Sequence, residues 1–342
     1  MRIIATYKKH IFQFKRPSGT SRGVLTEKLA WFIHLSFEHE PMIIGVGECS
    51  IIPGLSPDFE SEELYENKVN QVCDQINEYA HNLSALEDFP SIYFGVEMAL
   101  LDLKNGGGKR FFDTPFTQGN HPIPINGLIW MGTPEFMQEQ IEDKLDQGFR
   151  CLKMKIGAID FEEELSLLKG IRKRFSKDQI TLRVDANGAF TPKEAMSKLE
   201  KLANLDLHSI EQPIAANQLD EMAYLCKNSP LPIALDEELI GHHSYESKTK
   251  IIEEIRPPYI ILKPSLIGGF KGSNEWIKIA DKQGVKWWVT SALESNIGLN
   301  AIAQFTSLYS NSLPQGLGTG ALYTNNIKSN LQIDKGYLYF RD

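Results

Sequence analysis

Three things are scarce in this chain, and each scarcity excludes a class of protein. Cys49, Cys73, Cys151 and Cys226 are the whole complement of cysteine, far apart, with no C-x-x-C pair and no histidine at zinc-site spacing. A disulfide framework and a structural zinc site are thereby excluded, and the thiols read as small buried hydrophobes in a reducing compartment, the cytoplasm. Long apolar runs are missing as well. No stretch approaches the ~20 residues a membrane helix needs, and MRIIATYKKHIFQFKRP scatters charges where a secretory signal would carry an apolar core. Net positive charge is the third absence. With 36 Lys and Arg against 44 Asp and Glu, the formal charge is −8, so the chain as a whole has no electrostatic reason to bind nucleic acid or an anionic membrane. A small-molecule partner fits better.

What is present is material for a core. The 342 residues are 42% apolar and 23% charged, a composition for one large α/β barrel with an attachment, or for two or three smaller domains. Up to about Phe116 the pattern is irregular and α+β in character. Strands are expected within Ile3 to Phe14 and Leu29 to Phe37, helices within Ser61 to Asn82 and Pro90 to Asn105. Arg16 to Thr26 and Gly47 to Pro57 are rich in Ser, Gly and Pro and read as exposed loops; Lys104 to Arg110 and Thr114 to Pro124 read as linker.

After Pro124 short apolar runs alternate with amphipathic stretches, the pattern of βα units on a parallel sheet. Thr133-Pro134, Asp160-x-x-Glu163 and Thr191-Pro192-x-Glu194 mark helix starts. Candidate strands finish at Met131, Lys155, Asp185, Glu211, Asp236, Lys263 and Ser291, with Gly318 after a last one, about 25 to 30 residues apart. One βα unit per interval gives a (β/α) barrel. The last strand is expected to lack its outer helix, and GYLYF near the end looks like a strand returning to the first domain.

The strand ends carry the chemical signal. They run Lys153-x-Lys155, Arg183-x-Asp185, Glu211, Asp236 and Lys263. Because strand side chains alternate, Lys153 and Lys155 share one face and Leu152, Met154 and Ile156 take the other. The apolar set must meet the helices, so the charged set points into the barrel mouth, where such folds hold their active sites. Asp185, Glu211 and Asp236 on adjacent strands could not sit together ionised without a cation, and an all-oxygen set suits Mg²⁺, or Mn²⁺. A lysine near a second cation and a metal has its pKa drawn down toward the range of a base, and Lys155 with Lys153 beside it offers that arrangement. A single K-x-K is usually a solvated pair, and Asp185 to Gly188 fails as an EF-hand because its glycine is misplaced; it is the set of five charged ends that has no structural explanation.

That set resembles the enolase superfamily, in its muconate-lactonising subgroup, over nearly the full chain. The matching words are KMK, RVDANGAF, EQP, LDE, LKPSLIGG, SALESNIG and GLGTG, with TSRG at Thr20 to Gly23; the last three favour the o-succinylbenzoate synthases. The resemblance implies a modified (β/α)₇β barrel over 119–320 and an α+β capping domain over 1–118, completed by a tail of 321–342. It implies Lys155, Lys153 and Lys263 as catalytic residues, Asp185, Glu211 and Asp236 as ligands of Mg²⁺, and Arg183 and Asn187 as supports of the metal-side charge. Ser291 and Gly318 would meet a succinyl tail. The implied reaction is Mg²⁺-dependent loss of water from 2-succinyl-6-hydroxy-2,4-cyclohexadiene-1-carboxylate to give 2-succinylbenzoate, a step toward menaquinone. N-succinylamino-acid racemase or dipeptide epimerase activity is the alternative within the subgroup; a metal-independent Schiff-base aldolase and a non-catalytic binding barrel are the alternatives outside it.

Overall fold

The structure, a computed structural model, describes residues 1–20 and 23–341; Ser21 and Arg22 of the TSRG motif and Asp342 lie outside the described residues. The chain opens with an antiparallel meander of β1 (Ile3–Thr20), β2 (Gly23–Phe37) and β3 (Glu40–Ser50). The stretch expected to loop between Arg16 and Thr26 is instead the far end of β1 and β2, where Ser18, Gly19 and Thr20 still pair with Leu25, Val24 and Gly23 after a register shift beyond Gln13. A bulge absorbs the Ser, Gly and Pro residues that suggested a loop. Likewise β3 runs on to Ser50, three residues past the expected start of a loop at Gly47. At Gly47 a Cβ would stand 1.8 Å from the Gly95 carbonyl oxygen, so glycine is what lets the sheet lie so close on the helix behind it.

That helix follows α1 (Glu62–Asp74) and α2 (Ile76–His81), which divide the helix expected within Ser61 to Asn82, and is α3 (Pro90–Lys104). It is apolar nearly all round, and the packing explains why. Ile92, Val96, Ala99 and Leu103 face the meander's core, while Phe94 and Met98 belong to the larger core of the second half. The expected linker after it is tied down, since the Phe111 and Phe112 amides both donate to Gln304 Oε1 at 2.8 and 3.2 Å.

After β4 (Ile123–Pro124), βα units follow in strict alternation: β5 (Gly127–Ile129), α4 (Pro134–Asp146), β6 (Cys151–Lys155), α5 (Phe161–Arg174), β7 (Thr181–Asp185), α6 (Pro192–Ala203), β8 (Ser209–Glu211), α7 (Leu219–Asn228), β9 (Ile233–Leu235), α8 (Tyr245–Ile255), β10 (Tyr259–Leu262), α9 (Gly269–Gln283), β11 (Lys286–Val289) and α10 (Asn296–Thr306). The strands β5 to β11 pair in parallel in sequence order. The 314–318 segment closes the ring. Gln315 N donates to Pro124 O at 2.8 Å and its carbonyl accepts from Asn126 N at 3.0 Å, while Gly316 bonds Val289 and Ser291 on the other side. No helix follows that closing strand among the described residues, which gives the expected (β/α)₇β plan.

The helix starts fall where the caps predict. Thr133 accepts from Phe136 N, Asp160 from Glu162 and Glu163 N, and Thr191 with Glu194 forms a reciprocal capping box. Outward strand residues Leu152, Met154, Leu182, Val184 and Ile210 are buried with the helices' apolar faces in one core. Of the cysteines, Cys49, Cys73 and Cys151 are buried and Cys226 is half-buried; all four are free. The tail meets the meander through Lys15 N to Leu322 O and Thr324 N to Gln13 O. Its terminal strand β13 (Tyr337–Phe340), however, pairs with β12 (Leu331–Asp334) and β4 rather than with the meander to which GYLYF seemed to return. No helix is long and apolar enough to cross a membrane among the described residues.

Candidate active site

Strand register brings the charged ends to one level: Lys155 is opposite Asp185, and Asp185 opposite Glu211. Asp236 and Lys263 follow directly on β9 and β10. All five are nine-tenths buried or more, as is Lys153. Lys153 Nζ lies 3.1 Å from Asp185 Oδ2 and 2.7 Å from Glu211 Oε2; Lys263 Nζ reaches Asp236 Oδ2 and stands 3.7 Å from Glu211 Oε1. The two lysines thus string the three carboxylates together. Lys155 Nζ donates to Asp185 Oδ2 at 3.1 Å and to Asn187 Oδ1 at 2.6 Å.

Burial opposes the charge of Lys153 and of Lys263, but carboxylates outweigh it and hold both above the ordinary lysine range: Asp185 and Glu211 for Lys153, Asp236 and Glu211 for Lys263. Burial likewise disfavours the Asp185 carboxylate and is overcome by Lys153, Lys155 and Lys263, which keep it well below the usual carboxylate range. Asp236 goes the other way. Burial and the Glu237 and Glu211 carboxylates push it up although Lys263 stands against it; within that pair the contact between opposite charges decides for the ionised form of both.

This donor set fits a divalent cation. Glu211 Oε1 is buried with no hydrogen-bond donor, and the excess of negative charge around Asp236 is what a hard cation would offset. In the structure the carboxylates are turned onto the lysines, and no group of three or more His, Cys, Asp or Glu side chains stands close enough to hold a metal among the described residues.

The lysines border a cavity of about 300 Å³ at the carboxyl ends of the strands. Lys153, Lys155, Asp185 and Lys263 form its charged end. Leu25 on β2 and Ile52 in the loop after β3, with Trp130 and Leu293, contribute apolar wall. The hairpin of β1 and β2 reaches this mouth through a bridge from Gly19 to Met131, where a Cβ on Gly19 would stand 2.6 Å from the Met131 carbonyl oxygen.

The remaining expected residues divide. Asn187 lines the cavity and orients Lys155; its amide nitrogen is fixed by Glu237 Oε1 at 3.1 Å and its backbone N–H by Asp185 Oδ1 at 3.1 Å. Ser291 and Gly318 line the cavity too, the Ser291 hydroxyl 2.8 Å from that of Thr319. Arg183 makes no ion pair with the acids among the described residues, although Glu211 is within its electrostatic reach. It sits one inward layer deeper, level with Lys153 and Ser209, stacked 4.0 Å over the Trp288 ring and bonded through Nη1 to Pro314 O at 2.7 Å. The alternation rule gave its face correctly but not its depth.

Sequence reasoning missed Trp130, whose ring centroid is 5.9 Å from Lys155 Nζ. The first barrel strand is expected to finish at Met131; β5 ends two residues earlier, at Ile129, and it is Trp130 that lines the cavity.

The Enolase C-terminal domain-like family matches residues 136–342. The chain is 49% identical to an o-succinylbenzoate synthase of Desulfotalea psychrophila over 97% of its own length and 98% of that protein's. Among solved structures it resembles that of MenC from Desulfotalea psychrophila LSv54, with a TM-score of 0.87 and 46% identity, covering 98% of this chain and 99% of that one. It shares its fold with a dipeptide epimerase from Enterococcus faecalis V583 complexed with Mg and L-Leu-L-Tyr, at a TM-score of 0.83 and 19% identity over 100% of this chain and 98% of the other.

Proposed function

This chain belongs to the Enolase C-terminal domain-like family, and from that membership we propose that it is an enzyme carrying out the o-succinylbenzoate synthase reaction: loss of water from 2-succinyl-6-hydroxy-2,4-cyclohexadiene-1-carboxylate to give 2-succinylbenzoate, on the way to menaquinone. The observation that carries the reading is the pair of lysines on opposite walls of one cavity. Lys155 is on the second strand of the ring and Lys263 follows the sixth, four places apart among eight.

Asp185, Glu211 and Asp236 would hold Mg²⁺, with Mn²⁺ as a substitute; the ion, when bound, neutralises the substrate carboxylate and the negative charge that develops on it. Lys155, as the neutral amine, takes the proton from the carbon next to the carboxylate, and the C–H electron pair passes into an enediolate. Asn187 Oδ1 aims that amine. Lys263, kept cationic by its carboxylates, stabilises the enediolate charge across the cavity without moving a proton. The protonated Lys155 then gives its proton to the departing hydroxyl as the C–O bond breaks, so water leaves, the ring becomes aromatic and the amine is restored. Lys153, paired with Asp185 and Glu211, holds a positive charge beside the base. Ser291 and Gly318 meet the succinyl arm.

We further take residues 1–118 with 321–342 as the capping domain and 119–320 as the barrel, working in the cytoplasm on a small carboxylate. The test is direct measurement of 2-succinylbenzoate formation: Mg²⁺-dependent turnover is expected, and turnover undiminished in EDTA would favour a Schiff-base lysine. Because both lysines reach the cavity, 1,1-proton transfer on an N-succinyl amino acid is the second reading. Exchange of that substrate's α-proton with solvent deuterium at a rate exceeding the dehydration would favour it.

A further inference from the structure

A second group of buried charges lies behind the cavity wall, and the reaction does not use it. Lys28 on β2, Glu48 on β3 and Glu294 after β11 are 3%, 0% and 0% exposed. Lys28 Nζ donates to Ser50 Oγ at 2.6 Å and to the Ile51 carbonyl at 2.8 Å, with Glu294 and Glu48 within electrostatic reach. Glu48 accepts from Ser295 N, Ser295 Oγ and Gly298 N at 2.8, 2.6 and 2.8 Å, capping α10 from across the molecule. Glu294 Oε1 accepts from Ser265 Oγ at 2.6 Å, two residues beyond Lys263.

The segments that meet at this cluster run on into the cavity wall. β2 contributes Leu25, the segment after β3 contributes Ile52, Pro53 and Leu55, the turn after β10 contributes Lys263, and the loop after β11 contributes Leu293. At Ile51, where the chain leaves β3, Lys28 supplies a hydrogen bond that no sheet partner supplies.

We propose that Lys28 is a positioning residue of this active site: its buried ammonium pins the carbonyl of Ile51 and so holds Ile52, Pro53 and Leu55 as the apolar wall over the charged end of the cavity. An apolar wall binds substrate and transition state alike, so loosening it acts on KM and leaves the chemical step nearly alone. The assay rests on the reaction proposed above; the contact does not.

The test compares wild type, Lys28→Met and Ser50→Ala as full chains in Mg²⁺. Lys28→Met is expected to raise KM about tenfold with kcat changed less than about threefold, and Ser50→Ala to do the same more weakly. Without substrate, chymotrypsin should cut the variants faster than wild type at Leu55 and Phe59, ahead of other sites, because a local opening has been made easier. An unchanged KM, a kcat that falls at constant KM, or cleavage that speeds up equally everywhere would overturn the proposal. If Lys28→Met does not fold, Ser50→Ala decides by the same criteria. If the wild type makes no 2-succinylbenzoate, the reaction is wrong and the cleavage comparison still decides the role of Lys28.

Discussion

Two clusters of buried charge, some residues apart in the same wall, are built on opposite terms. At the strand ends, Lys153, Lys155 and Lys263 meet Asp185, Glu211 and Asp236 directly. Behind the wall, Glu48 is met by backbone N–H groups and a hydroxyl, and Lys28 by a hydroxyl and a carbonyl. Burying charge is costly in both places. The second cluster spends its hydrogen bonds on joining the meander to the barrel. Each cluster has one buried carboxylate oxygen with no donor among the described residues, Glu211 Oε1 in the first and Glu294 Oε2 in the second; what separates them is that the first pairs charge with charge at the end of a cavity, as a site that must move a proton requires.

The comparison is sharpest under metal removal. Stripping divalent ions with EDTA should abolish turnover while the protein stays folded, because Lys153 and Lys263 pair with the acids when no ion is bound; turnover that persists breaks the contrast. Lys263→Ala comes next, with a fall in kcat of about 10² to 10³ from loss of electrostatic stabilisation, read by steady-state kinetics. Glu48→Ala should do the reverse. It leaves the Ser295 and Gly298 donors buried and unmet, at a cost of about 3 kcal/mol in urea unfolding, and the surviving folded enzyme should keep its kcat. Thr191→Ala, far from both clusters, should cost about 1 kcal/mol through the lost cap and leave kinetics untouched.

The smallest effect concerns pH. Glu97 on α3 accepts from the Phe270 and Lys271 amides at the start of α9, a second tie between the meander side and the barrel. Burial pushes its carboxyl up to about 7, above its usual range near ~4.3. The folded state therefore holds a proton that the unfolded state releases, and this contribution to stability is complete at low pH and lost as pH rises through about 7. Glu97→Gln should flatten that part of the decline in unfolding free energy measured from pH 5 to 8; an unchanged slope would assign it to Glu164, which burial also pushes up to about 7.

Much of this was legible in sequence because barrels are local. The repeat of strand ends, the caps at Thr133, Asp160 and Thr191 and the inward row of charges each depend on residues within one βα unit. What was not legible depends on distance. Glu48 meets Ser295 across 247 residues, and no periodicity signals such a pairing. Only the far end of the hairpin of β1 and β2, from Arg16 to Thr26, looked like a loop, because turn-forming residues sit there within paired strands. Arg183 and Lys153 share one level and one inward face, yet Arg183 stacks on Trp288 while Lys153 reaches the acids, a difference that alternation along a strand does not encode.

The central claim is that the inward row of charges works as a catalytic site with Lys155 as its base. It is tested most directly by 2-succinylbenzoate formation in wild type and Lys155→Ala at matched Mg²⁺ occupancy, with occupancy measured by calorimetry. The account predicts a folded variant that binds Mg²⁺ and has lost at least about 10³ in kcat. Near-normal turnover by that variant would contradict it.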